Sequence, residues 1–263
     1  MSTAIPALEV QDLGKSFGGL RVIEHLSFAV AAGERIGLIG PNGAGKTTCF
    51  NLITGVYPVN TGRILLGGRD ITRMASRLRI REGLARTFQN IRLMAHLTVI
   101  ENVMIAQYAR SPGVLGMLQP VNLTRANRWR GEAREVLVAA GLEQYAEQTA
   151  GSLPYGIQKR IELVRALLAH PRVLLLDEPA AGCNPVETQE IDRVIRSVVK
   201  DGITVVLVEH DMRLVMNISD RVHVLSSGRT LTEGTPEQVR SNAEVIQAYL
   251  GVHGSQEAVR AFD

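Results

Sequence analysis

The chain has 263 residues, 45% of them hydrophobic and 21% charged, as in an ordinary globular domain or a domain with a sizeable insertion. No run approaches the roughly twenty apolar residues needed to cross a bilayer. The net charge of +3 is too small to suggest nucleic-acid binding by itself. Met1 to Gln11 lacks a basic stretch followed by an apolar core, so no secretion signal is expected and the cytosol is the expected compartment. Cys49 and Cys183 lie far apart, with no Cys or His neighbour at metal spacing, and read as free thiols.

In chain order, Leu8 to Leu13 and His25 to Val30 predict strands around a turn at Gly18-Gly19. Arg35 to Ile39 is an apolar run too short for a helix and predicts a buried strand; a helix from Lys46 to Thr54 follows a Gly-rich loop. Arg63 to Leu66 and Gly68 to Ile71 suggest a strand pair. Arg73, Arg77, Arg79, Arg81, Arg86 and Arg92 form a basic run whose plainest reading is a solvated face; contact with a partner or with anionic lipid head groups stays open.

From Thr98 to Ala140 the pattern is mostly helical, interrupted near Ser111-Pro112-Gly113 and stopped at Gly141, and predicts a helical insertion. Helices over Ile157 to Ala169 and Val186 to Val199 then alternate with apolar strands over Val173 to Leu176, Ile203 to Val208 and Arg221 to Leu225. Continuous apolar strands between helices argue for a parallel sheet covered on both faces. Thr235 and Pro236 read as the cap and first turn of a late helix.

Gly40-Pro41-Asn42-Gly43-Ala44-Gly45-Lys46-Thr47 fits G-x-x-x-x-G-K-[ST] between a predicted strand and a predicted helix. Its glycines let backbone N–H groups turn around phosphate oxygens, and the helix N-terminus favours the anion. Thr48 extends this set. Lys46 would reach the β- and γ-phosphates, and the Thr47 hydroxyl would bind Mg²⁺. The strand ending in Asp177 delivers a second Mg²⁺ group, with Glu178 placed to polarise an attacking water. Two adjacent carboxylates at the end of an apolar strand are costly unless a cation or hydrogen bonds compensate. His210 ends another core strand at the same edge; on local evidence a structural and a catalytic role are equally open. Cys49, near a helix start, reads as a small buried residue, the alternative being a thiol of depressed pKa.

Together these segments resemble the ATP-binding subunits of ABC transporters, from Leu8 to about Gly251. The resemblance implies an α/β fold: a P-loop NTPase core with an antiparallel β subdomain over 1–89 and 159–263, and a helical subdomain over 90–158. It implies that Phe17 stacks on adenine, that Gln89 senses Mg²⁺ and the membrane subunit, that His210 contacts the γ-phosphate, and that ATP and Mg²⁺ are the cofactors. In place of the family signature Leu-Ser-Gly-Gly-Gln stands Leu153-Pro154-Tyr155-Gly156-Ile157-Gln158. Gly156 keeps one backbone N–H for a phosphate held by a second subunit, while Pro154 loses the serine hydroxyl. Asn184 stands where an Asp usually pairs across the dimer.

Tyr155 before the signature glycine, the Glu178-to-Pro185 segment and the ending through Gly251 resemble the LivG-type subunits of branched-chain amino-acid importers. That resemblance implies two transmembrane permease subunits, a second LivF-type ATPase or a homodimer, a periplasmic binding protein acting indirectly, no nucleic acid, and a peripheral place on the cytoplasmic face of the bacterial inner membrane. A soluble ABC ATPase of DNA repair, translation or cofactor assembly is the alternative. No Asn-Lys-x-Asp guanine motif supports a GTPase.

Overall fold

The structure, a computed structural model, describes residues 4–110 and 123–253. The expected interruption at Ser111-Pro112-Gly113 and the tail over 254–263 lie outside these residues.

Two sheets share the N-terminal part of the chain. The first is antiparallel, in the order β2 (Leu20–Val30), β1 (Leu8–Phe17), β4 (Thr61–Leu66), β5 (Arg69–Asp70). Gly18 takes the left-handed backbone region in the β1–β2 hairpin, at the turn expected from Gly18-Gly19. The second sheet runs β10 (Arg229–Gly234), β9 (Arg221–Ser226), β3 (Arg35–Ile39), β8 (Thr204–Val208), β7 (Val173–Asp177), β6 (Leu84–Arg86). Its pairs from β9 to β6 are parallel and only β10 runs antiparallel. Every residue of β7 and β8 is buried, as expected for strands covered on both faces.

Helix α1 (Lys46–Ile53) follows β3 and packs Cys49, Phe50, Leu52 and Ile53 into the core between the sheets. A second core covers the other face of the parallel sheet, with Ile191 and Ile195 from α6 (Pro185–Lys200) and Val215 and Ile218 from α7 (Met212–Ile218). The third core is helical and joins α3 (Val99–Arg110), α4 (Leu123–Ala139) and one face of α5 (Tyr155–Leu168) through Val103, Leu137, Ile161 and Val164. Leu163 of α5 faces the second core, so this helix spans both. Gly141 adopts φ +65° and its N–H reaches Val138, which ends α4 where the sequence predicts the stop.

Two short helices complete the fold, α2 (Ser76–Arg79) and α8 (Pro236–Arg240), with α9 (Ala243–His253) last. Thr235 and Gln238 form a reciprocal capping box at the start of α8. Between β9 and β10, fully buried His223 touches Glu233 Oε2 through Nδ1 at 2.7 Å and Thr230 through Nε2 at 3.1 Å. Burial and the neighbouring Arg221 push its pKa down to about 4.

Candidate functional site

The loop after β3 needs glycine for two separate reasons. At Gly40, with φ +151°, an added Cβ would collide with the Leu225 carbonyl of β9. At Gly45, φ +103°, it would meet the Ile23 side chain of β2 at 2.7 Å. Gly45 is the N-cap of α1, which has no side-chain cap and no acidic residue in its first turn. The first amides of the helix are therefore left to an anion, which the helix dipole also favours. Pro41 and Ala44 are buried, Asn42, Gly43 and Thr47 are exposed, and Thr48 is half-buried. Lys46 curls back into the loop and donates to the carbonyls of Gly40 (2.6 Å) and Pro41 (3.1 Å). Burial pushes its pKa down, and the nearby Glu178 and Asp177 oppose that shift.

β7 ends at Asp177, beside the end of β8. Glu178 follows in the left-handed region at φ +48°, with its N–H bonded to the Val208 carbonyl at 2.8 Å. Its carboxylate gathers two of the residues expected from sequence: Gln89 donates to Oε2 at 2.7 Å, and His210 Nε2 lies 2.9 Å from Oε1. The segment bearing His210 is fixed by buried Glu209, which accepts from the N–H groups of Ala180 (2.7 Å) and His210 (3.0 Å). Burial pushes the Glu209 pKa up. Gln89, Glu178 and His210 are distant in sequence, yet they form one hydrogen-bonded set.

The basic run is not a solvated face throughout. Arg73, Arg77, Arg81 and Arg92 are exposed, but Arg79 is buried and donates to the carbonyls of Leu52 (2.9 Å) and Ile53 (2.5 Å). There it satisfies the last turn of α1, the negative end of the helix. Arg86 also turns inward, pairing with Asp177 at 2.6 Å. Its charge in the sequence says nothing of this, because burial of an arginine depends on what the fold places around it.

Lys159 is a further buried cation, one that the sequence does not single out. It donates to the carbonyl of Gln89 at 2.6 Å and lies 3.3 Å from that of Glu178. One side chain of α5 thus holds the backbone of both Gln89 and Glu178.

Helix α5 starts at Tyr155, two residues before the expected Ile157, with Pro154 as an N-cap that forms no side-chain bond. Gly156 is buried, and an added Cβ would collide with the Glu187 carboxylate. Glu187 in turn forms a capping box with Asn184 at the start of α6. Phe17, partly exposed at the tip of β1, packs edge-on against Tyr57 with ring centroids 5.1 Å apart and carries Lys15 Nζ 4.9 Å above its face. Tyr57 had no sequence signal. Cys49 is fully buried and its thiol is pushed up to about 12, which favours its reading as a packing residue.

Residues 23–181 match the family described as ABC transporter, and residues 229–255 match the family described as branched-chain amino acid ATP-binding cassette transporter. The high-affinity branched-chain amino acid transport ATP-binding protein BraF of Pseudomonas aeruginosa is 42% identical over 94% of this chain and 98% of its own length. LivG of Escherichia coli, which bears the same description, is 43% identical over the same shares. Among solved structures, the ADP conformation of MJ1267, an ATP-binding cassette of an ABC transporter, aligns with a TM-score of 0.84 at 29% identity, covering 94% of this chain and 99% of that one. The chain belongs to the ABC transporter family of ATPases coupled to transport and, within it, to the branched-chain amino acid transport ATP-binding proteins.

Proposed function

We propose that this chain binds and hydrolyses ATP with Mg²⁺ to drive import of branched-chain or other hydrophobic amino acids, as a peripheral subunit on the cytoplasmic face of the inner membrane. Among the described residues no helix is long and apolar enough to cross a membrane. Two permease subunits, a second ATPase of LivF type or a second copy of this chain, and a periplasmic binding protein complete the assembly. We place the ATPase core at 1–89 and 159–263 and the helical subdomain at 90–158.

The observation that carries this reading is the Gln89–Glu178–His210 set at the strand edge that also carries the phosphate loop. Gly40 to Thr48 cradle the phosphates, and Lys46 leaves its loop carbonyls to meet them. Phe17 stacks on adenine. Glu178 orients the attacking water, and His210 and Lys46 stabilise charge on the transferring phosphoryl group. Gly156 presents its N–H to nucleotide held by the other ATPase.

The donors suit Mg²⁺: the exposed Thr47 hydroxyl, Asp177 and Gln89 are hard oxygen ligands. Among the described residues no group of three or more His, Cys, Asp or Glu could hold a metal ion; phosphate oxygens and water would supply the further ligands. A bound Mg²⁺ would offset the negative charge of the phosphates.

The test is purification of the complex from native membranes in mild detergent. Co-purification of two integral-membrane subunits and an ATPase, with turnover stimulated by a leucine-loaded binding protein, is the expected result. Recovery as a soluble species with ribosomes, DNA or a cytosolic enzyme would overturn the transport role.

A further inference from the structure

Arg86 occupies an unusual place for a cation. Its side chain is 6% exposed and lies against the rings of Phe50 on α1 and Phe88, with the guanidinium carbon 5.5 and 5.0 Å from their centroids. Nη2 donates to Asp177 Oδ2 at 2.6 Å. Nη1 donates to Asn51 Oδ1 on α1 at 2.6 Å and lies 3.3 Å from Oγ1 of Thr54, the C-cap of that helix. The third nitrogen, Nε, is buried without a partner. An orphaned buried donor is costly, and such costs are kept where a group has a task beyond packing.

Three parts of the site meet at this one side chain: the phosphate-loop helix, the end of β7, and the strand that leads through Phe88 to Gln89. The guanidinium takes one oxygen of Asp177, while the Thr87 hydroxyl receives the Asp177 backbone N–H at 3.3 Å. With both groups held, the carboxylate cannot rotate freely. Its remaining oxygen keeps a fixed direction relative to α1. A planar fork suits this role because it spans Asn51 and Asp177 at once, which a lysine ammonium on a flexible stem cannot do.

We propose that Arg86 is a positioning residue for Mg²⁺: it anchors Asp177 to the phosphate-loop helix through Asn51 and thereby sets the affinity of the nucleotide site for the ion. The inference rests on the reading of Asp177 as a Mg²⁺ residue. Outer partners of metal-binding carboxylates act by orientation, and losing one costs metal affinity even though it never touches the ion.

The experiment measures binding of a fluorescent ATP analogue to the full-length chain, first in EDTA and then across a Mg²⁺ titration. Arg86→Met should leave metal-free nucleotide binding within about twofold and raise the Mg²⁺ midpoint by about tenfold. Arg86→Lys should recover only part of that loss. If Arg86→Met yields no folded chain, Asn51→Ala serves instead: it removes the anchor, leaves the ion pair, and should shift the midpoint in the same direction by a smaller factor.

An unchanged Mg²⁺ midpoint in these variants, with Asp177→Asn shifted, overturns the role of Arg86 alone. A lower midpoint does so too, since it means the guanidinium competes with the ion. An unchanged midpoint in Asp177→Asn overturns the underlying assignment of Asp177.

Discussion

Glu178 is held in the left-handed region by its surroundings, since for a residue with a Cβ that conformation costs roughly 1–2 kcal/mol. Its N–H is bonded to Val208, its carbonyl faces Lys159, and its carboxylate is shared by Gln89 and His210. Backbone strain of this kind is retained where the surrounding structure fixes it and function uses it. Glu178→Gln keeps the shape and most of the bonds but removes the base. ATP binding should stay near the wild-type value while turnover falls by roughly 10²–10⁴-fold, read in a steady-state phosphate-release assay. Hydrolysis within a few fold of wild type would refute the assignment of the base. The two acids and the phosphate loop were legible in sequence because loop geometry demands glycines at fixed spacing, and because paired carboxylates ending an apolar strand need an explanation. The roles of Arg86 and Lys159 were not, because their partners are side chains and backbone carbonyls supplied by distant parts of the chain.

On the scale of elements, the apolar strands and periodic helices were legible, and short or polar segments such as β6 and β10 were not. The expected strand over Arg35 to Ile39 and helix over Val186 to Val199 lie within a residue or so of β3 and α6. β6 escapes because three residues ending in Arg86 carry no period, and β10 because Arg-Thr-Leu-Thr-Glu-Gly is a polar edge strand. At α5 the sequence offers a test of the altered signature. Pro154 caps the helix without a hydroxyl. Pro154→Ser would supply a cap worth about 1 kcal/mol, but would free the unfolded chain by about 0.4–1 kcal/mol. These nearly cancel, so the melting temperature of the isolated subunit should move by no more than a few degrees. A rise in ATP affinity of the assembled complex would then report the restored hydroxyl contact at the composite site. No change would mean that Gly156 and the start of α5 suffice.

Across the whole molecule, the two sheets must stay in register for the phosphate loop to keep its shape. Gly45 packs against Ile23 of the antiparallel sheet, and Glu24 N–H bonds the Gly228 carbonyl between β9 and β10. His223 lies in that same β9–β10 hairpin and packs at a tilt of 46° against Phe28 of β2, with ring centroids 5.1 Å apart. Its burial was not legible, since a histidine in a strand signals nothing until the opposite sheet covers it.

The depressed pKa makes the hairpin acid-sensitive. Between about 4 in the folded chain and 6.5 in the unfolded one, the unfolded state binds more protons at His223. This contribution to stability is therefore complete above pH 6.5 and is lost as pH falls towards 4, by roughly 3 kcal/mol. Glu162 and Glu209 act with opposite sign above pH 4.5, because burial raises their pKa values. The raw stability curve mixes these effects, whereas the difference between wild type and His223→Gln isolates the histidine. In urea melts at pH 7, 6, 5 and 4 the wild type should lose roughly 3 kcal/mol more than the variant across that range. Parallel losses would mean that His223 takes up a proton as readily in the folded chain as in the unfolded one, and that the two sheets do not keep its ring neutral.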